Sequence, residues 1–292
     1  MKDLHVLPKF ADRWPHLYLE HGRLDVDGAT LAFRNKDGLS PIPICHLSVV
    51  LLGPGTTVTQ AAMKAMAEYN CLVCWTGEKG VRLYAHSTGG THSGHRLLRQ
   101  AELYCDPATR LAVVRRMYQK RFPQPVPEPL DIQQVRGMEG ARVRAAYQRL
   151  AREFNVEWQG RLYDQDDWDY ADPLNRALSC SNACLYGICH AAILTAGYSP
   201  AIGFIHTGKM LSFVYDIADL YKTELSIPIA FSTVAQGTEE VERRVRLACR
   251  DIFHVSKIMD RILPDIAEVL DARDDLGESA DELEGRAVTL AD

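Results

Sequence analysis

The sequence predicts an α+β protein in which a small N-terminal β-rich domain precedes a larger α-helical domain. Between residues 15 and 85, apolar and polar residues alternate in short runs broken by Gly, Asp and Pro, which is typical of strands and hairpins. From residue 96 to residue 270 the apolar residues recur with helical spacing. A polar, glycine-rich segment, STGGTHSGH, separates the two patterns at residues 87–95. We therefore expect a first domain at 1–86, a linker at 87–95 and a helical domain at 96–270.

The β-rich part is predicted to contain short strands and one helix. The runs HLYLEHGRLDVDGATLAF and SVVLLG read as strands, and residues 60–69 have helical spacing. A Gly-Glu-Lys-Gly turn then joins the runs CLVCW and VRLYA into a hairpin. Strand residues three apart face opposite ways, so Cys71 and Cys74 are not expected to hold one zinc ion.

Long amphipathic helices are predicted from Arg96 onward. A proline-rich segment, FPQPVPEPL at residues 122–130, is predicted to be an extended connector between two of them. Three cysteines and a histidine follow near-helical spacing in SCSNACLYGICHAAIL. Buried thiols explain this spacing, and structural zinc is the alternative. The four residues are Cys180, Cys184, Cys189 and His190.

Composition sets limits on the class of protein. The chain has 292 residues and eight cysteines, and it opens on the polar sequence Met-Lys-Asp-Leu-His. Without a secretory leader, the cysteines are expected to be reduced thiols. No apolar run is expected to approach the ~20 residues that span a membrane. We therefore expect a cytoplasmic protein that does not enter a membrane.

Charge is distributed unevenly along the chain. The formal net charge is −5, but residues 271–292 carry eight acidic and two basic residues, a net charge of −6. This segment lacks aromatic residues and is expected to be a flexible acidic tail. Residues 91–160 carry twelve Lys or Arg against seven Asp or Glu, a net charge of +5. This asymmetry permits a surface for a polyanion.

The stretch GFIHTGKMLSFVYDIAD, residues 203–219, places one histidine and two aspartates among apolar residues, where charge needs a partner. Asp216 and Asp219 are three residues apart in a run with helical period, so both carboxylates are predicted on one helix face. His206 precedes Asp216 by ten residues and a Thr-Gly turn, and can fold back over that face. Imidazole and carboxylate ligands suit Mg²⁺ or Mn²⁺, and the imidazole favours Mn²⁺.

This stretch allows two other interpretations. His206 can be a hydrogen-bonded core histidine, with the two aspartates on a solvated helix edge. Residues 203–209 also read G-x-x-x-x-G-K, the start of a phosphate-binding loop, but Met210 stands where that motif needs Ser or Thr. The preceding SPAI is too short for a convincing buried strand. We therefore reject the nucleotide loop.

A basic ridge is predicted near the C-terminal end of the helical part. At 100° per residue, six basic residues share one side of a single helix, and four apolar residues lie opposite. The basic residues are Arg243, Arg246, Arg250, His254, Lys257 and Arg261, and the apolar ones are Val245, Ile252, Val255 and Met259. A row of guanidinium groups matches phosphates, so this ridge is predicted to bind a nucleic-acid backbone. An ordinary solvated face is the alternative.

Glu139 lies in VRGMEGARVRAAY between Gly137 and Gly140, which weaken an otherwise good helix. The glycines indicate close approach of another chain or a ligand, in a segment that also carries three arginines. Taken alone, Glu139 is an ordinary surface residue. Three aromatic residues farther along, Tyr163, Trp168 and Tyr186, can stack on unpaired bases, although packing is the default for each.

These segments together resemble a known family. The resemblance is carried by VRGMEGARVRAAY, SPAIGFIHTGKMLSFVYDIAD, VRLACRDIF, GPGTTVTQAA and EKGVRLYA, and therefore spans most of the chain. They resemble the CRISPR-associated integrase of the adaptation complex, in its type I-E (Cascade-linked) branch. The resemblance implies a small β domain joined to an α-helical catalytic domain, working as a homodimer.

The resemblance also implies the site. Glu139, His206 and Asp219 would hold Mg²⁺ or Mn²⁺, and Asp216 would orient the site or contact DNA. The implied DNA-contacting residues are Arg82, Tyr163, Trp168, Tyr186, Lys209, Lys222, Arg243 and Arg246, to which the basic ridge adds Arg250. Thr57 stands in GPGTTV where the family pattern leads us to expect arginine, which puts part of the β-domain contact with DNA in doubt.

The chemistry implied by the resemblance is transesterification: the 3′-hydroxyl ends of a short DNA duplex are joined to phosphates of a CRISPR repeat array. A small ferredoxin-like CRISPR-associated protein would bridge two dimers. Two rival functions stay open from the residues alone. One is a general metal-dependent nuclease that cuts DNA without joining it, and the other is a non-catalytic DNA-binding scaffold.

Overall fold

The fold is taken from a computed structural model that describes residues 16–28, 30–44, 47–78, 83–87, 94–121, 132–158, 160 and 172–271. Within helix 132–153, the side chains of residues 132, 133, 135, 136, 138 and 139 are not described. The predicted turn at 77–80, linker, proline-rich connector and acidic tail therefore lie partly or wholly outside the described residues.

Eight strands and one helix form the described N-terminal part. The elements are β1 (Leu17–Leu19), β2 (Gly22–Asp27), β3 (Thr30–Asn35), β4 (Gly38–Ile42), β5 (Val49–Leu52), β6 (Thr57–Val58), α1 (Gln60–Glu68), β7 (Leu72–Thr76) and β8 (Leu83–His86). One four-stranded sheet has the order β1-β5-β7-β8 and the other the order β4-β3-β2-β6. The predicted helix at 60–69 and the final hairpin are both confirmed.

The inner strands of the first sheet, β5 and β7, are buried on both faces, which explains why both are apolar runs. In β5, Val50 and Leu52 join α1 and the second sheet in one core, while Val49 and Leu51 face the opposite way. β5 pairs in parallel with both β1 and β7, and β8 is the edge strand, antiparallel to β7. The two sheets and α1 therefore share the core of the N-terminal part.

Cys71 and Cys74 belong to different cores on the two faces of this sheet. This placement confirms that they cannot bind one metal ion together. Burial raises the pKa of the Cys74 thiol to about 12, so Cys74 remains protonated and inert.

The described C-terminal part is helical. Its elements are α2 (His95–Cys105), α3 (Pro107–Arg121), α4 (Ile132–Glu153), α5 (Pro173–Thr195), α6 (Ser212–Asp219), α7 (Ser226–Ala235), α8 (Val241–Val255) and α9 (Ile258–Leu270). α5 is the central helix and contacts α6, α7, α8 and α9. Asp172 caps its N-terminus by accepting from the N–H groups of Leu174 and Asn175, and Pro173 suits its first turn. An α+β fold with this order of parts was predicted from the sequence.

α5 is apolar on most of its surface because other elements surround it. By length and composition it could cross a membrane, although 61% of its most apolar window is buried inside the protein. The expectation that no apolar run approaches this length is therefore wrong. The central position of α5 supplies the physical reason for its composition.

The two parts of the chain pack against each other along α5. One buried apolar cluster joins Ala191 of α5 to the first sheet, whose members in it are Val49, Leu51, Leu72 and Cys74. His86 of β8 also lies edge-on to His190 of α5, with ring centroids 6.3 Å apart. α5 therefore contributes to the helical core on one side and to the sheet on the other.

The basic ridge predicted on one continuous helix is wrong. α8 ends at Val255, and Lys257 has a left-handed backbone with φ of 49°, so the chain turns before α9 begins. Val255 is 81% exposed and Ile252 is 38% exposed, although both were assigned to the apolar side. Val245 and Met259 are buried as predicted. The turn divides the six basic residues between two helices and the connecting residues.

Candidate functional site

A loop between α5 and α6, buried at residues 203–205, carries His206, and Asp216 of α6 holds it. Asp216 is fully buried. One of its carboxylate oxygens accepts from the N–H groups of Phe204 and Ile205 at 2.6 and 3.0 Å. The other accepts from the His206 N–H at 2.9 Å and lies 2.7 Å from the His206 Nδ1. All of these contacts lie within the protein, which makes Asp216 a positioning group and fits the predicted orienting role.

The contact with Asp216 also orients the imidazole of His206. The hydrogen bond raises the pKa of His206 above its usual value, although partial burial opposes this. With Nδ1 donating to the carboxylate, Nε2 is the nitrogen available to a metal or to a proton. The side chain remains 43% exposed, so solvent reaches the ring. His206 is therefore a fixed but accessible imidazole.

Asp219 lies one turn beyond Asp216 on α6 and faces two cations. The Lys222 Nζ lies 2.6 Å from its Oδ1, and an Arg121 guanidinium nitrogen lies 3.8 Å from its Oδ2. Burial alone would raise the pKa of Asp219, but Lys222 and Arg121 outweigh it and the pKa lies below its usual value. Asp219 is therefore an ionised carboxylate in a nearly dry setting.

Two tyrosine rings lie between His206 and Lys222, the cation that pairs with Asp219. The Tyr215 ring lies edge-on to His206 at 5.8 Å and to Tyr186 at 5.0 Å between centroids. The Lys222 ammonium lies 4.9 Å from the centroid of the Tyr186 ring. Tyr186 thus contacts the cation that pairs with Asp219, which places this predicted residue beside the site.

A close approach of backbone explains one glycine of the rejected phosphate-loop motif. A Cβ built on Gly203 would lie 2.4 Å from the His206 carbonyl oxygen and 2.7 Å from the Ser212 carbonyl carbon. Gly203 therefore lets the loop pass against the start of α6. Gly208 has a φ of +81°, a backbone conformation that favours glycine. No regular strand immediately precedes Gly203, which agrees with rejecting the nucleotide loop.

Glu139 lies in α4, but its side chain is outside the described residues. A Cβ built on Gly137 would meet no atom within 4 Å, and one on Gly140 would meet only an Arg144 nitrogen, at 3.6 Å. Neither glycine is thus required by a close contact within the described structure. The interpretation that a ligand or another chain approaches here stays a prediction.

The donor atoms at this site fit a divalent cation. Asp219 supplies an ionised carboxylate and His206 an imidazole nitrogen, a mixed set suited to Mg²⁺ or Mn²⁺. Among the described side chains, no three His, Cys, Asp or Glu residues form a metal-binding group. Glu139, whose side chain is outside the described residues, is the third ligand that the family resemblance implies. Lys222, bonded to Asp219, is the cation that a metal at this carboxylate would have to displace or share.

The predicted DNA-contacting residues are in different surroundings. Lys209 is exposed in the loop after His206. Arg243 and Arg250 are exposed on α8 and pair with Glu240 at 2.9 Å and Asp251 at 2.6 Å. Arg246 is 25% exposed and pairs at 3.3 Å with Glu78, beyond the end of β7. Acidic partners therefore accompany the α8 arginines, which the sequence pattern did not indicate.

Three further predicted contacts, Arg82, Tyr163 and Trp168, lie outside the described residues. Thr57, the departure from the family pattern, is exposed in β6 and is in register with Arg23 of β2. Arg23 therefore puts a guanidinium on the strand beside the position where arginine was expected.

Sequence reasoning missed Arg121 of α3 and Arg110 of the same helix. Arg121 is close to Asp219, and Arg110 donates from Nε and a terminal nitrogen to the Phe204 carbonyl at 3.2 and 3.0 Å. Both lie in a helix that is rich in arginine, where no local pattern distinguishes an arginine that turns inward. Only the path of the chain in space brings α3 to the loop of His206.

Comparison with known proteins gives consistent matches. The family model described as CRISPR associated protein Cas1 matches residues 17–125 and 119–244. The protein named CRISPR-associated endonuclease Cas1 of Geobacter sulfurreducens is 50% identical over 262 residues, which cover 89% of this chain and 86% of that protein. CRISPR-associated endonuclease Cas1 2 of Thermus thermophilus is 49% identical over 265 residues, which cover 91% of this chain and 82% of that protein.

A solved structure gives the same result at the level of the fold. The crystal structure of a TtCas1–DNA complex superposes with a TM-score of 0.81 and 48% sequence identity, covering 90% of this chain and 99% of that chain. Its match extends over both the sheets and the helices described above.

Proposed function

The chain belongs to the Cas1 family of CRISPR-associated proteins, and on that premise we propose that it is a metal-dependent DNA integrase and endonuclease. Its substrates are a short DNA duplex with 3′-hydroxyl ends and a CRISPR repeat array. The relatives named as Cas1 endonucleases support cleavage of phosphodiester bonds, and the similar structure solved as a DNA complex supports DNA binding. Joining of ends by transesterification is the finer part of the proposal.

One observation carries the proposal: an ionised, nearly buried Asp219 lies one helical turn from the carboxylate that orients His206. This arrangement supplies a charged oxygen at a fixed position and, once His206 gives up its second ring proton, a neutral ring nitrogen beside it. Glu139, His206 and Asp219 would hold Mg²⁺ or Mn²⁺. When bound, this cation would favour attack by the 3′-hydroxyl and neutralise charge on the attacked phosphate.

The other side chains of the site bind and orient. Asp216 keeps Nε2 of His206 directed away from α6 by holding Nδ1. Lys222 and Arg121 keep Asp219 ionised. If a metal ion bound the Asp219 carboxylate, both side chains would be able to attract a phosphate. Lys209 and the arginines of α8 would bind the DNA backbone without reading its sequence. Water in place of the 3′-hydroxyl would give hydrolysis at the same site.

We also propose the assembly implied by the family. The protein would act as a homodimer in the cytoplasm, and a small ferredoxin-like CRISPR-associated protein would bridge two dimers. This part depends on family membership and on no contact described above.

The test is an integration assay. A short duplex with 3′-hydroxyl ends is incubated with a supercoiled plasmid that carries the repeat array, with or without Mn²⁺ and with the small partner present. We expect strand transfer that requires the metal. His206→Ala and Asp219→Ala should each abolish it, and because the ligands act as a unit the double variant should lose little more. His95→Ala, an exposed histidine on α2, is the control and should remain active.

The rival functions give different results in the same assay. Cutting of the plasmid without joining would indicate a general nuclease. Binding of DNA with no metal dependence, and no effect of His206→Ala, would indicate a non-catalytic scaffold. Either result would reject the proposed integrase.

A further inference from the structure

The loop that carries His206 passes through the protein interior, and its backbone groups need partners there. Gly203, Phe204 and Ile205 are buried, and the loop contains no regular helix or strand. Asp216 satisfies the N–H groups of residues 204–206. The earlier part of the loop, residues 199–202, has a different partner.

That partner is Gln100 of α2, a fully buried side chain. Its Nε2 donates to the Ser199 carbonyl at 3.0 Å and to the Ile202 carbonyl at 2.9 Å. Its Oε1 accepts from the Ser199 N–H at 2.8 Å. One amide thus bridges both ends of a four-residue segment, with both of its donor hydrogens used.

The orientation of this amide follows from its contacts. The two carbonyl oxygens need a donor and the Ser199 N–H needs an acceptor, so only one arrangement of the amide satisfies all three groups. Leucine would leave these groups without a partner, and glutamate would set a negative oxygen against the two carbonyls. Glutamine at position 100 therefore satisfies all three backbone groups, which neither leucine nor glutamate can do.

We infer that Gln100 is a positioning residue for His206 in the proposed reaction. Gln100 fixes residues 199–202 and Asp216 fixes residues 204–206, so the imidazole projects from a segment held at both of its ends. Arg110 adds a third restraint at the Phe204 carbonyl. The inference rests on the proposed function for its effect on catalysis, while its effect on the loop is independent of any reaction.

The test compares Gln100→Leu and Gln100→Glu with Asn182→Leu. Asn182 is a buried amide of α5 whose Oδ1 accepts from the Ser226 hydroxyl at 2.8 Å, and neither residue belongs to the loop of His206. The single-turnover joining rate is measured at saturating DNA and Mn²⁺, together with DNA affinity and thermal midpoint. For both Gln100 variants we expect a loss of about 100-fold in rate, because small misplacements of a reacting group have effects of this size. DNA affinity should stay within about twofold, since the basic residues are unchanged.

A readout without catalysis accompanies the kinetics. In the metal-free protein, at a pH high enough to keep the imidazole neutral, ¹⁵N NMR of the histidine side chains reports which ring nitrogen of His206 carries the proton. Wild type should show Nδ1–H, and the Gln100 variants should show a mixture of tautomers, while Asn182→Leu should match wild type. If Gln100→Leu does not fold, Gln100→Glu carries the test because it retains the acceptor for the Ser199 N–H.

Two results would overturn the inference. One is unchanged His206 resonances in a folded Gln100 variant. The other is a joining rate that falls no further than in Asn182→Leu at an equal loss of thermal midpoint. If wild type joined no DNA, the proposed function would fail, and the NMR measurement would still decide the role of Gln100.

Discussion

Asp216 accepts three backbone N–H groups and one imidazole nitrogen, whereas Asp219, one turn later on α6, faces two side-chain cations. The two aspartates are three residues apart on one helix face, but their different surroundings give them different roles. Asp216 determines the path of the chain and the direction of the His206 ring. Asp219 keeps a negative charge that can bind a metal ion, including one that also binds a phosphate.

Asp216→Ala is expected to destabilise the fold by about 3 to 5 kcal/mol, because it leaves several buried N–H groups without an acceptor. His206→Ala should cost less than about 1 kcal/mol, since the ring is part-exposed and the three backbone bonds remain. Urea denaturation monitored by circular dichroism measures both. Equal losses in the two variants would show that the loop is not held by Asp216.

The sequence could place these two aspartates on one helix, because three-residue spacing in an apolar run determines their face. It also grouped His206 with both aspartates, and the family resemblance then implied Glu139, His206 and Asp219 as the metal ligands. It could not show that Asp216 would be fully used by the backbone of residues 204–206, since that depends on how the loop folds back. Nor could it find Gln100, whose partners lie about a hundred residues away in the chain.

At the scale of elements, the turn between α8 and α9 changes the surface of the protein. Lys257 adopts a left-handed conformation, and no glycine or proline in the run HVSKIMD signals the break. Pattern reasoning therefore continued the helix. With the turn in place, Arg261 is directed to Glu224, with which it forms two bonds of 2.7 Å, instead of extending the row of α8.

The turn at Lys257 predicts which of two substitutions gives the more stable protein. Lys257→Gly should be more stable than Lys257→Ala by about 1 kcal/mol, because glycine adopts the left-handed conformation without strain. In a continuous helix the order would reverse by about the same amount. Lys64, exposed within α1, is the matched control, and there Lys64→Ala should be the more stable variant. Thermal or urea denaturation of the four proteins decides between the two orders.

The contact between β8 and α5 predicts a pH dependence. Burial, aided by nearby His86, lowers the pKa of His190 to about 4. Between pH 6.5 and 4 the unfolded chain therefore binds a proton that the folded protein does not, so stability falls as the pH falls through this window. The effect is at most about 3 kcal/mol.

His190→Asn should remove this contribution. We expect the difference in unfolding free energy between wild type and variant to shrink or reverse from about pH 7 to about pH 4.5, measured by urea titration at each pH. A difference that is independent of pH would show that His190 is not the group responsible.

At the scale of the whole molecule, α5 belongs to both parts of the chain, and Arg246 of α8 reaches Glu78 beside the first sheet. The sequence predicted the change from strands to helices because each has its own period. It could not predict this packing, since nothing in a local pattern shows which face of a buried strand meets which helix. The arginine surface of α8 therefore lies next to the β-rich part.

Arg243→Ala and Arg246→Ala should each weaken DNA binding without sequence preference. Each lost phosphate contact should reduce the slope of log affinity against log salt by about 0.9. Lys64→Ala, which removes an exposed charge from α1, is the control and should leave the slope unchanged. Binding of a short duplex is titrated at several salt concentrations. Unchanged slopes in both α8 variants would show that these arginines form an ordinary solvated surface and do not bind DNA phosphates.

The sheet face covered by α5 has a consequence for attempts to divide the protein. A fragment ending near residue 87 would uncover the apolar side chains of Val49, Leu51, Leu72 and Cys74, next to the open edge of β8. Exposed apolar strands with a free edge recruit other strands. Such a fragment should therefore self-associate into β-rich aggregates, and a helical fragment supplied in the same solution should compete with that aggregation by covering the face.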